Sequence, residues 1–179
     1  AIGVNCSLGP KQLIPVAREL IKYASVPVLL KPNAGLPEIR NGETVFDVTP
    51  EEFAELLNKY NLKAMSAHVS YYEMRDDMKK VIKDCKTVGC KFIAIPWLDP
   101  DYRYDGIYGR ETVDNIYKFA EMAKEADMGL LYHNHDFEFG KINGEYMFDL
   151  LYSEIPSLLA EQDSCWVQHG GEDPLKYLK

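Results

Sequence analysis

The chain has 179 residues, of which 46% are hydrophobic and 27% charged, with a formal net charge of -8; this suits a soluble globular domain with a real core. The negative charge, without any Lys/Arg-rich run, argues against a nucleic-acid partner. No apolar stretch approaches the roughly 20 residues that span a bilayer, so no membrane partner is expected.

The opening "AIGVNCSLG" lacks the basic start and apolar core of a signal peptide. The absence of an initiator Met reads as a processed or excised piece. Cys6, Cys85, Cys90 and Cys165 form no C-x-x-C pair, which fits a reducing, cytoplasmic setting without disulfides.

In chain order, "IGVNC" (2–6) is strand-like and residues 8–24 follow as a helix opening near a Pro. "VPVLLKPNAG" (26–35) is a strand ending in a turn. Residues 36–48 read as a loop, with a small hairpin turn at Asn41-Gly42. Thr49 then caps a helix in "TPEEFAELLNKY", with Pro50 at its first position and Glu52 completing a capping box.

A third strand (62–70) precedes an amphipathic helix (71–89), and "CKFIAIPWL" (90–98) is the fourth. An acidic, Tyr-rich loop (99–111) leads to the helix "TVDNIYKFAEMAKEA". "MGLLYHNH" (128–135) is the fifth strand. After the loop "GKING" and a helix over 146–155, "SLLAEQD" (157–163) is the sixth. The alternation predicts a parallel α/β, TIM-barrel-derived arrangement of about six βα units in one domain, against eight in a complete barrel. Such an incomplete barrel exposes edge strands, so a homo-oligomer is the expected partner state.

Chemistry-bearing residues cluster at the strand ends: Asn5-Cys6, Pro32-Asn33, His68, Trp97, His133/His135 and Asp163. In parallel α/β folds these ends form the active face. Strand alternation puts His133 and His135 on one face, where both could enter a barrel mouth as ligands for Mn, Co or Zn, or simply satisfy a loop start. Asp163 ends an apolar strand, an expensive place for a carboxylate unless it ligates a cation or caps the next helix. Glu161 shares its face. Trp97 and Trp166 suit a wall on which a small sugar ligand stacks, or plain core packing. Gln168 and His169 in "WVQHGG" suit contacts to hydroxyls or phosphate. Cys85 and Cys90 read as packing.

Two resemblances sharpen this. "GVNCSLGPKQLIPV…VPVLLKPNAGLPEIRNGETVF" resembles the homocysteine-binding barrel of cobalamin-dependent methionine synthases and homocysteine S-methyltransferases, over residues 1 to about 50. The resemblance implies that Cys6 is one of three zinc thiolates and that the loop containing Asn33 lies beside substrate. The other two thiolates belong to a G-G-C-C motif, which these 179 residues lack. By this resemblance Cys6 is a vestigial zinc ligand, while as a lone cysteine it reads as a small core hydrophobe; neither methyl transfer nor cobalamin is expected.

From about residue 50, "LKAMSAHVS", "GCKFIAIPWL", "GLLYHNHDFEF" and "DSCWVQHGGEDPLKYL" resemble the xylose-isomerase-like sugar phosphate isomerase/epimerase family, covering four of its eight strands. The resemblance implies a divalent metal (Mn, Co, Mg or Zn), with Asp163 as the metal aspartate and His133, His135 or Glu138 supplying a second ligand. It implies catalytic roles for Glu138 and His68. The remaining ligands would lie beyond Lys179. The join falls near 44–57, where both families carry a similar Thr-Pro-Glu-Glu helix start. A recombined or engineered chimera without native turnover is the reading this supports; a working sugar isomerase/epimerase is the alternative, and a zinc methyltransferase the third.

Overall fold

The computed structural model describes residues 1–5, 8–35, 37–40 and 43–178. The chain divides into two compact units, 1–63 and 64–179.

In the first unit, β1 (Ile2–Asn5) and β2 (Val28–Lys31) are parallel, with Ile2 opposite Val28. The helix α1 (Pro10–Tyr23) connects them, with Pro10 in its first turn and Leu13 and Ala17 buried. The segment expected to be a loop instead contains β3 (Pro37–Arg40) and β4 (Glu43–Phe46), paired antiparallel with Arg40 opposite Glu43. The two strands flank a two-residue connection, the spacing of a tight hairpin; Asn41-Gly42 themselves lie outside the described residues. The helix α2 (Pro50–Lys59) carries the expected capping box: Thr49 Oγ1 accepts from Glu52 N, and Glu52 Oε2 accepts from Thr49 N, both at 3.2 Å.

The second unit is a four-stranded parallel sheet. Its strands are β5 (Ser66–His68), β6 (Phe92–Ile95), β7 (Gly129–His133) and β10 (Leu159–Glu161), in the order β10-β7-β6-β5. The connecting helices are α3 (Tyr71–Val88), α4 (Gly109–Glu125) and α5 (Met147–Glu154), and α6 (Ser164–His169) follows β10. Ser70 and Glu73 form a second capping box at the start of α3, and Gly89 ends that helix in the left-handed region at φ 89°.

The "GKING" loop is a second small hairpin, β8 (Lys141–Ile142) against β9 (Glu145–Tyr146). Asn143 and Gly144 both have positive φ, 52° and 93°, as a two-residue type I′ turn requires. Strand and helix thus alternate as expected, with two parallel strands in the first unit and four in the second. The described strands lie in four separate sheets and do not close a barrel.

Alternation decides which face of the four-stranded sheet is core. Leu130 and Tyr132 on β7, in register with Ile93 and Ile95 on β6, are at most 1% exposed. They pack with Met74, Met78, Ile116 and Ala123 from the helices. Each such burial stabilises by about 1.5–3 kcal/mol. The opposite face carries His68, Ala94, Leu131, His133, Leu159 and Glu161, and its β7 residues are only half-buried. Gly129 belongs to it: a Cβ there would lie 2.7 Å from Phe92 Cδ1 and 2.9 Å from Leu159 Cδ1, so glycine lets its neighbours meet over the strand. Among the described residues no helix is long and apolar enough to cross a membrane.

Candidate metal centre

Three residues of the second unit converge at the C-terminal ends of their strands. His68 ends β5, His133 ends β7 and Glu161 ends β10. Glu161 is the register partner of His133, so the two side chains leave one face of adjacent strands side by side. His68 comes from two strands away, and the strand between contributes Ala94, the register partner of His68. Neighbouring strands lie about 4.8 Å apart, so two imidazoles can meet across β6 only where the intervening side chain is small. The rings of His68 and His133 do meet, with centroids 5.3 Å apart.

His68 Nε2 stands 3.0 and 3.1 Å from the two carboxylate oxygens of Glu161. One donor atom from each of His68, His133 and Glu161 lies within 4.8 Å of the others. Small side-chain rotations bring such a set to an ion at about 2.0–2.2 Å. Imidazole and carboxylate are both ligands for divalent ions, so the residues present fit a metal.

Beside this cluster stands an aromatic wall. Trp97 packs edge-on to His135 at 4.8 Å and to Phe137 at 5.3 Å, and His135 stacks on Phe137 at 5.7 Å. Trp166 reaches His135 at 5.2 Å, and His135 contacts His133 at 5.1 Å. The Arg103 guanidinium lies 3.6 Å over Phe137 and 5.0 Å from Trp97, a cation on ring faces. Trp97 remains 44% exposed, with Arg103 over its ring.

The other residues singled out in the sequence have different positions. Asp163 lies two residues past the end of β10, and its Oδ1 accepts from Cys165 N at 2.9 Å and Trp166 N at 3.2 Å, capping α6. It is not one of the three converging donors. His135 lies beyond the end of β7, where strand alternation no longer governs it; it joins the aromatic wall, and burial, with His133 beside it, holds its pKa below the usual imidazole range.

Glu138 is 4% exposed. Its Oε1 accepts from the Tyr132 hydroxyl at 2.7 Å and its Oε2 from His135 N at 2.8 Å. Burial raises its pKa despite those hydrogen bonds. Gln168 is exposed on α6. His169 Nδ1 pairs with Asp136 Oδ2 at 3.0 Å, and the following turn is held close: a Cβ on Gly170 would lie 3.1 Å from Asp136 O.

Asn33 belongs to the first unit, where its backbone N donates to Leu8 O at 3.0 Å. Cys6 lies outside the described residues. Cys85 and Cys90 are buried, and burial pushes the Cys85 thiol up to about 12. They pack in the core as expected.

Sequence reasoning had no signal for Asn134. It is fully buried; its Oδ1 accepts from Asp163 N at 2.8 Å, and its Nδ2 donates to Asp163 O at 3.2 Å. The amide thus continues the β7–β10 pairing past the last strand residues and fixes His133 against Glu161.

Comparison with known proteins gives two different likenesses. The family model for homocysteine S-methyltransferase matches residues 1–94, a span that runs past the expected join into β6. Methionine synthase of Mycobacterium leprae (strain TN) is 41% identical over 56 residues, and that of Mycobacterium tuberculosis (strain ATCC 25618 / H37Rv) is 39% identical over 56 residues. Each alignment covers 31% of this chain, and the chain spans only 5% of those proteins' length.

Among solved structures, two sugar phosphate isomerase/epimerases from Parabacteroides distasonis ATCC 8503 align with 99% of this chain. Their TM-scores are 0.67 and 0.65, at 16% and 20% identity, with 70% and 73% of those chains covered. A xylose isomerase domain containing protein from Salmonella typhimurium LT2 aligns at TM-score 0.58 and 15% identity, covering 99% of this chain and 65% of that one. At such identities the likeness is one of fold: TIM-barrel architecture of the isomerase/epimerase kind.

Proposed function

The chain belongs, through residues 1–94, to the homocysteine S-methyltransferase family, and from that premise we propose that its working site is nevertheless the isomerase-like one in residues 64–179. This site binds one divalent metal ion on His68, His133 and Glu161, and holds a hydroxylated, sugar-like ligand between that ion and the wall of Trp97, His135 and Trp166. The convergence of three donor atoms within 4.8 Å carries the reading. The bound ion would supply a Lewis acid for a carbonyl or hydroxyl oxygen of the ligand.

The chain's own residues account for binding better than for turnover. Isomerisation moves a proton between neighbouring carbons, and a positioned carboxylate is the usual carrier. Asp163 is engaged in capping α6, and Glu138 is buried with both oxygens accepting hydrogen bonds. Metal and ligand binding without ketose turnover is therefore the function we assign, on a chain read as a join of parts of two barrels.

The test is metal stoichiometry on the full chain. After incubation with Mn²⁺, Co²⁺ or Zn²⁺ and desalting, about one ion per chain should remain. It should be lost in Glu161→Gln and kept in Asp163→Asn, because Asn also caps a helix. No retained ion, or an ion lost only in Asp163→Asn, overturns the assignment. Ketose turnover by the loaded protein overturns the binding-only part.

A further inference from the structure

The kind and number of donors say more than that an ion binds. Two of the three converging groups are imidazoles and only one is a carboxylate. Magnesium and manganese sites are built from oxygen, with carboxylates, carbonyls and water filling six positions. Zinc and cobalt accept imidazole nitrogen readily, and a catalytic-type zinc site is three protein ligands with a fourth position open.

Among the described residues no other carboxylate converges with these three donors. Asp163 Oδ1 is held by two backbone N–H groups of α6. Glu138 is held by Tyr132 and His135 N in the core. The flank of the cluster is aromatic, formed by His135, Trp97 and Trp166, which offers no hard oxygen ligands. Charge points the same way: a single carboxylate among the three donors leaves a bound dication only half neutralised, a poor match for ions held mainly by charge.

We propose that His68, His133 and Glu161 form a zinc-class, four-coordinate centre with one position open, and that it discriminates against Mg²⁺ and Mn²⁺. The inference rests on the metal-binding reading above and specifies the ion and its geometry. The open position is where water or a ligand oxygen enters, on the side of the aromatic wall.

The experiment uses the full chain, stripped with a chelator and titrated separately with Zn²⁺, Co²⁺, Mn²⁺ and Mg²⁺ against a competing chromophoric chelator. The visible spectrum of the Co²⁺ form is recorded in parallel. The expected result is one Zn²⁺ or Co²⁺ per chain, bound more than roughly tenfold tighter than Mn²⁺, with no measurable Mg²⁺ binding. The Co²⁺ form should show the intense visible band of a four-coordinate ion rather than the weak band of a six-coordinate one.

His133→Gln and His68→Gln should each weaken Co²⁺ by more than about 100-fold, since even indirect partners of ligands are worth 10–100-fold. Tryptophan fluorescence checks that both variants are folded; His68 lies on the outermost strand, so one folded variant suffices. A six-coordinate Co²⁺ spectrum, or Mn²⁺ bound as tightly as Zn²⁺, overturns this inference while leaving metal binding intact. Failure to bind any of the four ions removes both.

Discussion

Asn134→Ala is the most revealing single change outside the three donors. The amide is fully buried between the ends of β7 and β10, bonded to both backbone groups of Asp163 at 2.8 and 3.2 Å. Alanine removes these two hydrogen bonds, worth about 1 kcal/mol each net, together with the longer Nδ2 bond to His135 O at 3.4 Å, and strands the Asp163 N–H, so the whole loss is about 3–4 kcal/mol. For a unit of this size that lowers the melting temperature by roughly 10 °C.

Both tryptophans, Trp97 and Trp166, lie in the second unit, so fluorescence-detected melting reports that unit alone. Asn134→Asp is the informative companion. It keeps an acceptor for Asp163 N but places a charge against Asp163 O in a buried site, so it should also destabilise. The new carboxyl would have its folded pKa raised by burial. Its cost is therefore present above the unfolded pKa and relieved as the pH falls, when the acid can donate to Asp163 O. An Asn134→Ala protein within about 0.5 kcal/mol of the wild type, the range of unremarkable surface changes, would refute the clamp.

The Glu138 carboxyl, its pKa raised by burial, binds more protons folded than unfolded between the ordinary carboxylate value and the raised one. Stability should therefore fall as pH rises through that window. Glu138→Gln, whose amide can accept from His135 N and donate to the Tyr132 hydroxyl, should flatten that part of the profile in urea melts at a series of pH values. An unchanged slope contradicts the burial argument. At the start of α3, Ser70→Ala breaks the capping box in which Ser70 Oγ accepts from Glu73 N at 3.2 Å; chemical denaturation should show a loss of about 1 kcal/mol.

The order of elements was readable because each depends on local chemistry. The Thr49 capping box, the six apolar runs and the amphipathic helices between them follow from side-chain period and backbone caps, and the structure places them as expected. The loop reading of "GKING" leaves out its hairpin. Asn143-Gly144 turns a hairpin because both residues tolerate positive φ, and β3 pairs with β4 across the other Asn-Gly pair.

The site was legible only as a neighbourhood. The strand ends carrying His68, His133, Trp97 and Glu161 were marked by composition alone. Which of the acids and histidines converge depends on where each strand stops and on its register with the next. Along "AEQD", Glu161 and Asp163 share a face by alternation, and nothing local distinguishes them. The tertiary pairing of Glu161 with His133 ends β10 there and leaves Asp163 to cap α6. Likewise His135 follows the last strand residue and turns into the aromatic wall, while Ala94, an ordinary core alanine in sequence, is the gap that lets His68 reach across. Local interactions fix which elements form, but a metal-sized cluster is defined to within an ångström or so by contacts between residues 28 to 93 positions apart, and those exist only once the sheet is assembled.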